Sequence, residues 1–113
     1  MADRILIVED DPLISMMIED FLDILGKQSA GVTQTVEAAL EYVRRGGFDA
    51  AIVDVHLANG ETGEPIAAAL AEADIPFLVA TGGYLGSDPV WDARPKLSKP
   101  FNLAALEAAL DAL

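Results

Sequence analysis

The sequence predicts an α/β domain: a flavodoxin-like, doubly wound sheet of five parallel strands in the order 2-1-3-4-5, with a reduced or irregular fourth helix. Three observations lead to it. Four-residue runs that are wholly apolar recur at 5–8, 50–53 and 77–80, and such unbroken runs suit parallel strands covered on both faces. Stretches with helical spacing separate the strands, and each parallel crossover needs a helix on a fixed hand. Two further strand candidates, near 28–32 and 96–98, are weak or short; the order above leaves strands one, three and four in the middle.

The first strand covers about residues 4 to 8. A helix follows, with Asp10 or Asp11 as its N-cap, Pro12 at the first position and Gly26 as terminator. Its inward row is Ile14, Ile18, Phe21 and Leu25, while Glu19, Asp20 and Asp23 face solvent. Leu13 and Met17 form a second apolar row, which reads either as a broad buried stripe or as a docking patch for a partner. The low hydrophobicity of residues 28–32 suits an edge strand. Thr35 then caps a helix to about Arg45, with Val36, Ala39, Leu40 and Val43 inward and Glu41 placed to pair with Arg45. Gly46 and Gly47 end it.

Strand three ends on Asp54. The loop 58–63 leads to a third helix at about 64–73, with Pro65 in its first turn. Apart from Ile66 and Leu70 that helix is nearly all alanine, so it must lie close to the sheet. Strand four, 76–80, ends on Thr81. Between Gly82 and Pro95 three glycines, two prolines and scattered apolar residues allow at most about two turns of helix. Strand five is short, near 96–98, and Asn102 caps a final helix with Leu103, Leu106, Leu110 and Leu113 on one face.

No repeat, linker or low-complexity stretch interrupts the 113 residues, so 1–113 is expected to be one domain with no output domain. A formal net charge of −12, from 19 acids against 7 bases, excludes attraction to nucleic acid or anionic membrane. There is no cysteine, hence neither a disulfide framework nor a zinc-thiolate site. No leader-like run precedes the first strand and none approaches a membrane span, so a cytoplasmic location is expected.

Four features converge on the carboxyl edge of this sheet. Glu9 and Asp10 follow strand one, Asp54 ends strand three, Thr81 ends strand four and Lys99 follows strand five. Each alone has a plain reading: a polar residue after a strand, a cap, a solvated surface lysine. Together they lie where the winding reverses, the place at which such sheets bind ligands. Carboxylates that close repel one another unless a divalent cation sits among them. Carboxylates for a hard cation, a nucleophilic carboxylate, a hydroxyl donor and an ammonium form a phosphoryl-transfer site. Asp11 reads as the helix cap instead of a ligand.

Residues 5–12, Ile-Leu-Ile-Val-Glu-Asp-Asp-Pro, Asp54 forty-four positions after Asp10, Thr81, and 98–101, Ser-Lys-Pro-Phe, occur in an order and spacing that resemble the receiver domains of two-component response regulators. The resemblance covers essentially the whole chain. It implies that Asp54 accepts a phosphoryl group from the phosphohistidine of a sensor histidine kinase or histidine phosphotransfer protein. It implies Mg²⁺ held by Asp10, Asp54 and the His56 backbone carbonyl, with Glu9 helping through water. Thr81 and Lys99 would hold phosphoryl oxygens, and a cis peptide bond would join Lys99 to Pro100. Phosphorylation would switch a surface for a downstream protein, without nucleic acid or membrane.

The chain also departs from the family. Most receivers carry an aromatic switch residue three positions before the lysine, where Lys96 stands here, and the stretch from Thr81 to Lys99 is short by roughly one helical turn. The octapeptide from Phe77 to Tyr84 resembles the signature of the "FAT GUY" subgroup. Members are typically single-domain, with a reduced fourth helix and partner kinases of the HWE and related types; here Phe77 stands three positions ahead of Ala80 instead of beside it. His56 stands where receivers tune hydrolysis of the phosphoaspartate; an exposed loop histidine without a role is the alternative. Three other readings remain open: a phosphoryl shuttle or sink in a phosphorelay, a Mg²⁺-dependent phosphatase, and a degenerate receiver that works by binding alone. The missing acid two residues beyond Asp54 and the absence of a cap domain count against the phosphatase, and the full set of site residues counts against the degenerate receiver.

Overall fold

The structure is a computed structural model that describes residues 3–83 and 88–113. Over them the chain runs β1 (Arg4–Val8), α1 (Pro12–Ile24), β2 (Gln28–Thr33), α2 (Val36–Arg45), β3 (Ala50–Asp54), α3 (Glu64–Glu72), β4 (Phe77–Thr81), β5 (Lys96–Ser98) and α4 (Leu103–Asp111). The five strands form one parallel sheet in the order β2-β1-β3-β4-β5. The predicted order and element count are those observed.

Successive side chains of a strand point to opposite faces, which divides the core in two. Leu6, Val8, Ala51, Val53, Phe77 and Val79 meet Ala39 of α2 and Ile66 and Leu70 of α3 on one face. Ile5, Ile7, Ala50, Ile52, Leu78 and Ala80 meet Ile18 and Leu22 of α1 and Leu106 and Leu110 of α4 on the other. Every residue of β3 and β4 is buried.

Local details bear out one sequence expectation and revise others. Asp11 is the N-cap of α1, its carboxylate accepting from Leu13 N at 2.9 Å. The buried row of that helix runs through Ser15, Ile18 and Leu22, leaving Ile14, Phe21 and Leu25 half-covered beside it. Rows 14-18-21-25 and 15-18-22-25 both satisfy helical spacing; the position of the sheet selects between them. The expected second row splits, since Met17 packs on the core whereas Leu13 is 77% exposed and Met16 joins it at 60%. Glu41 pairs chiefly with Arg44, one turn on, and reaches Arg45 only at 3.9 Å. On α4, Leu106, Ala109 and Leu110 are buried, while Leu113 lies beyond the helix and is exposed.

Between β4 and β5 the described residues form a single 3₁₀ turn, Pro89–Trp91, capped by Asp88. Tyr84, part of the octapeptide noted above, lies outside the described residues. Trp91 is only 2% exposed and meets Phe77 edge to face, with centroids 6.5 Å apart. Lys96 stays at the surface, where its ammonium donates to the carbonyls of Trp91 (2.9 Å) and Arg94 (3.0 Å). Among the described residues no helix is long and apolar enough to cross a membrane.

Candidate functional site

Strand register brings the predicted residues together. Val8 pairs with Val53 across β1 and β3, so Glu9 and Asp54, the next residue on each, stand side by side at the carboxyl edge. Asp54 is level with Ala80, and Thr81 with Ser98. Lys99 therefore emerges just past the edge, its amide donating to the Thr81 carbonyl at 2.8 Å. Glu9 is kept in line by its own amide, which donates to the Thr33 carbonyl at 2.9 Å. The Lys99–Pro100 peptide bond is cis.

The Lys99 ammonium lies 2.5 Å from Glu9 Oε1 and 2.8 Å from Asp54 Oδ2. The remaining oxygens also have donors: the Asp11 amide reaches Glu9 Oε2 and the His56 amide reaches Asp54 Oδ1, each at 3.2 Å. Glu9 is 2% exposed and Asp54 5%, so two carboxylates are nearly removed from water at one point. Charges so placed are tolerable only with such partners. Burial, and after it the neighbouring Asp54 carboxylate, pushes the Glu9 carboxyl up to about 7 against the pull of Lys99. Burial also works against the charge of Lys99, but its hydrogen bonds to Asp54 and Glu9 outweigh that and hold its pKa above the ordinary value.

Asp10 completes the cluster: one carboxylate oxygen each from Glu9, Asp10 and Asp54 lie within 4.8 Å of one another. An octahedral Mg²⁺ ion separates its ligand oxygens by about 2.9 to 4.1 Å, given its metal–oxygen length. The three hard oxygen donors thus fit that ion after small side-chain rotations. His56 is exposed, and what it brings to the cluster here is its backbone amide. Thr81 is buried, but its hydroxyl turns back on its own chain, donating to the Gly83 carbonyl and accepting from the Gly83 amide, both at 3.2 Å.

Two supporting residues escaped the sequence reading. Glu61 accepts from the Val36 amide at 3.0 Å, tying the loop after β3 to the start of α2. Gly63 packs so close to β3 that a Cβ there would lie 2.4 Å from the Asp54 carbonyl oxygen. Gly63 lies nine positions from Asp54 in the sequence, so no local signal announced that contact.

Three comparisons bear on this geometry. The family model for the response regulator receiver domain matches residues 5–111. The chain is similar to the solution structure of SdrG from Sphingomonas melonis Fr1, at 51% identity and a TM-score of 0.89, covering 98% of this chain and 95% of that one. It is also similar to the BeF3-activated conformation of SdrG from Pseudomonas melonis Fr1, at 50% identity and a TM-score of 0.83, over 99% and 98% of the two chains. Among curated proteins it is 35% identical to the phyllosphere-induced regulator PhyR of Methylorubrum extorquens, over 97% of this chain but only 43% of that protein. The chain thus spans less than half the length of that relative.

Proposed function

Because the chain belongs to the response regulator receiver domain family, we propose that Asp54 accepts a phosphoryl group from the phosphohistidine of a histidine kinase or phosphotransfer protein. The phosphorylated form then presents an altered surface to a downstream protein. One observation carries this reading: the Lys99 ammonium bridges Asp54 and Glu9, with Asp10 alongside, where the winding of the sheet reverses.

An Asp54 oxygen attacks phosphorus in line with the donor imidazole. The oxygen–phosphorus bond forms as the phosphorus–nitrogen bond breaks, and the electron pair stays on the departing imidazole nitrogen. Lys99 keeps Asp54 ionised beforehand and holds a phosphoryl oxygen afterwards. Thr81 leaves Gly83 and turns its hydroxyl to a second phosphoryl oxygen. Asp10, Asp54 and the His56 carbonyl, assisted by Glu9, would hold Mg²⁺, which when bound would offset charge on the carboxylate and the phosphoryl group.

Acetyl phosphate and mass spectrometry test this. The parent should gain one phosphoryl group with Mg²⁺ and none after chelation, and Asp54→Ala should gain none. If Asp54→Ala is labelled as fully as the parent, the assignment is wrong.

A further inference from the structure

We propose that Trp91 is a positioning residue for phosphoryl transfer, its indole edge closing the space where Gly63 meets the main chain of Asp54 and so fixing the carboxylate that receives the phosphoryl group. The inference rests on the reading of Asp54 as the phosphoacceptor. It arises from the packing of the turn before β5 against the loop after β3.

A Cβ at Gly63 would stand 2.4 Å from the Asp54 carbonyl oxygen, 3.1 Å from Trp91 Cη2 and 3.1 Å from Val53 Cγ1. The Asp54 carbonyl, the indole edge and Val53 thus crowd together the side of Gly63 on which a side chain would stand, leaving no room for one. Its amide donates to the Val55 carbonyl at 2.8 Å, and the next amide along, that of His56, holds Asp54 Oδ1. A continuous chain of contacts therefore runs from the indole through Gly63 and residues 54–56 to the carboxylate oxygen. Trp91 is itself held from three sides. Phe77 packs nearly perpendicular to its ring, Glu64 Oε1 lies 3.4 Å from its Nε1, and the Lys96 ammonium donates to its carbonyl. Lys96 stands where related chains carry a switch aromatic, and here it anchors a different aromatic that reaches the loop after β3 from the other side.

A wholly structural Trp91 would stabilise the domain without affecting the reaction beyond that. Trp91→Leu keeps an apolar side chain but withdraws the ring edge from Gly63. Leu110→Ala serves as the control, since Leu110 is buried on the opposite face of the sheet. Thermal unfolding, the maximal rate of labelling by acetyl phosphate and the half-saturating Mg²⁺ concentration are measured for each.

The expected result for Trp91→Leu is a maximal rate lower by roughly tenfold to a hundredfold, the scale of an ångström's misplacement of a reacting group. The half-saturating Mg²⁺ concentration should rise as well in Trp91→Leu and stay unchanged in Leu110→Ala, because Asp54 and the His56 carbonyl belong to this contact chain. Leu110→Ala should lose at least as much thermal stability and keep the parent rate. A parent-like rate in Trp91→Leu, or an equal loss of rate in Leu110→Ala, overturns the proposal while leaving Asp54 in place. A labelled Asp54→Ala overturns both. If Trp91→Leu does not fold, Lys96→Met at its exposed position releases the Trp91 carbonyl without opening the core. Slower labelling at the parent melting temperature then supports the proposal, and an unchanged rate overturns it.

Discussion

Lys99 shows how one side chain sets the energetics of the site. It contacts two carboxylates that are almost wholly buried, so it does in the metal-free protein what a cation would do on binding. Lys99→Met should leave a site of stronger negative charge and destabilise the metal-free fold. Mg²⁺ should bind it more tightly, by roughly tenfold if removing the cation restores about 1.4 kcal/mol of attraction. Titration calorimetry decides: weaker Mg²⁺ binding in the variant would mean that Lys99 organises the carboxylates more than it competes for them. At the opposite edge of the sheet, the exposed carboxylate of Asp49 accepts from the amides of Asp3 (3.0 Å) and Arg4 (2.9 Å). The Arg4 bond, then that of Asp3, holds its pKa below the ordinary 3.8. A depressed acid stabilises the fold above its unfolded pKa and loses that contribution as pH falls through the folded value. Asp49→Ala should therefore melt below the parent at neutral pH, and the gap should close below 3.8. A gap that persists unchanged in acid would assign the effect to something other than the charge.

At the scale of elements, the described residues of the crossover from β4 to β5 do two jobs. The turn Pro89–Trp91 buries an indole against Phe77, and Gly83, near the segment's start, is tied to the Thr81 hydroxyl through both its amide and its carbonyl. Recruiting that hydroxyl to a phosphoryl oxygen breaks both hydrogen bonds and frees a glycine pair with wide backbone latitude. Trp91 is the only tryptophan, so its emission reports this segment alone. Beryllofluoride with Mg²⁺ should change its intensity or wavelength, and Thr81→Ala should blunt the change while still binding the ligand. A spectrum that stays fixed when binding is confirmed by another probe rules the route out.

For the whole molecule, the net charge of −12 is a standing source of self-repulsion that any salt should relieve. Mg²⁺ should add a specific increment, because a ligand of the native state stabilises it by about 2.7 kcal/mol at a hundredfold excess over its dissociation constant. At equal ionic strength MgCl₂ should therefore raise the melting temperature more than NaCl. Asp10→Ala should keep the NaCl response, lose most of the Mg²⁺ increment and, relieved of a like charge, be no less stable without metal. Equal responses of parent and variant to MgCl₂ would show that the ion acts only by screening.

Strand identity, sheet order and the place of each residue in the acidic cluster were legible because each signal is local. An unbroken apolar run marks a buried parallel strand, and in such a sheet the residue after each run is delivered to the same edge. Glu9, Asp54 and Thr81 follow that rule, and Lys99 follows the short fifth strand to the same edge, so knowing the strand order was enough to place them together. Tertiary structure alone decided what depends on which surfaces meet. Two rows of α1 have the same period, and the sheet chose the one through Leu22. Nothing periodic surrounds Trp91 or Gly63, so their contact at Asp54 follows only from packing the crossover against the loop after β3. Periodicity records which face a residue shares along its own element; it carries no information about which distant, irregular segment will be pressed against it.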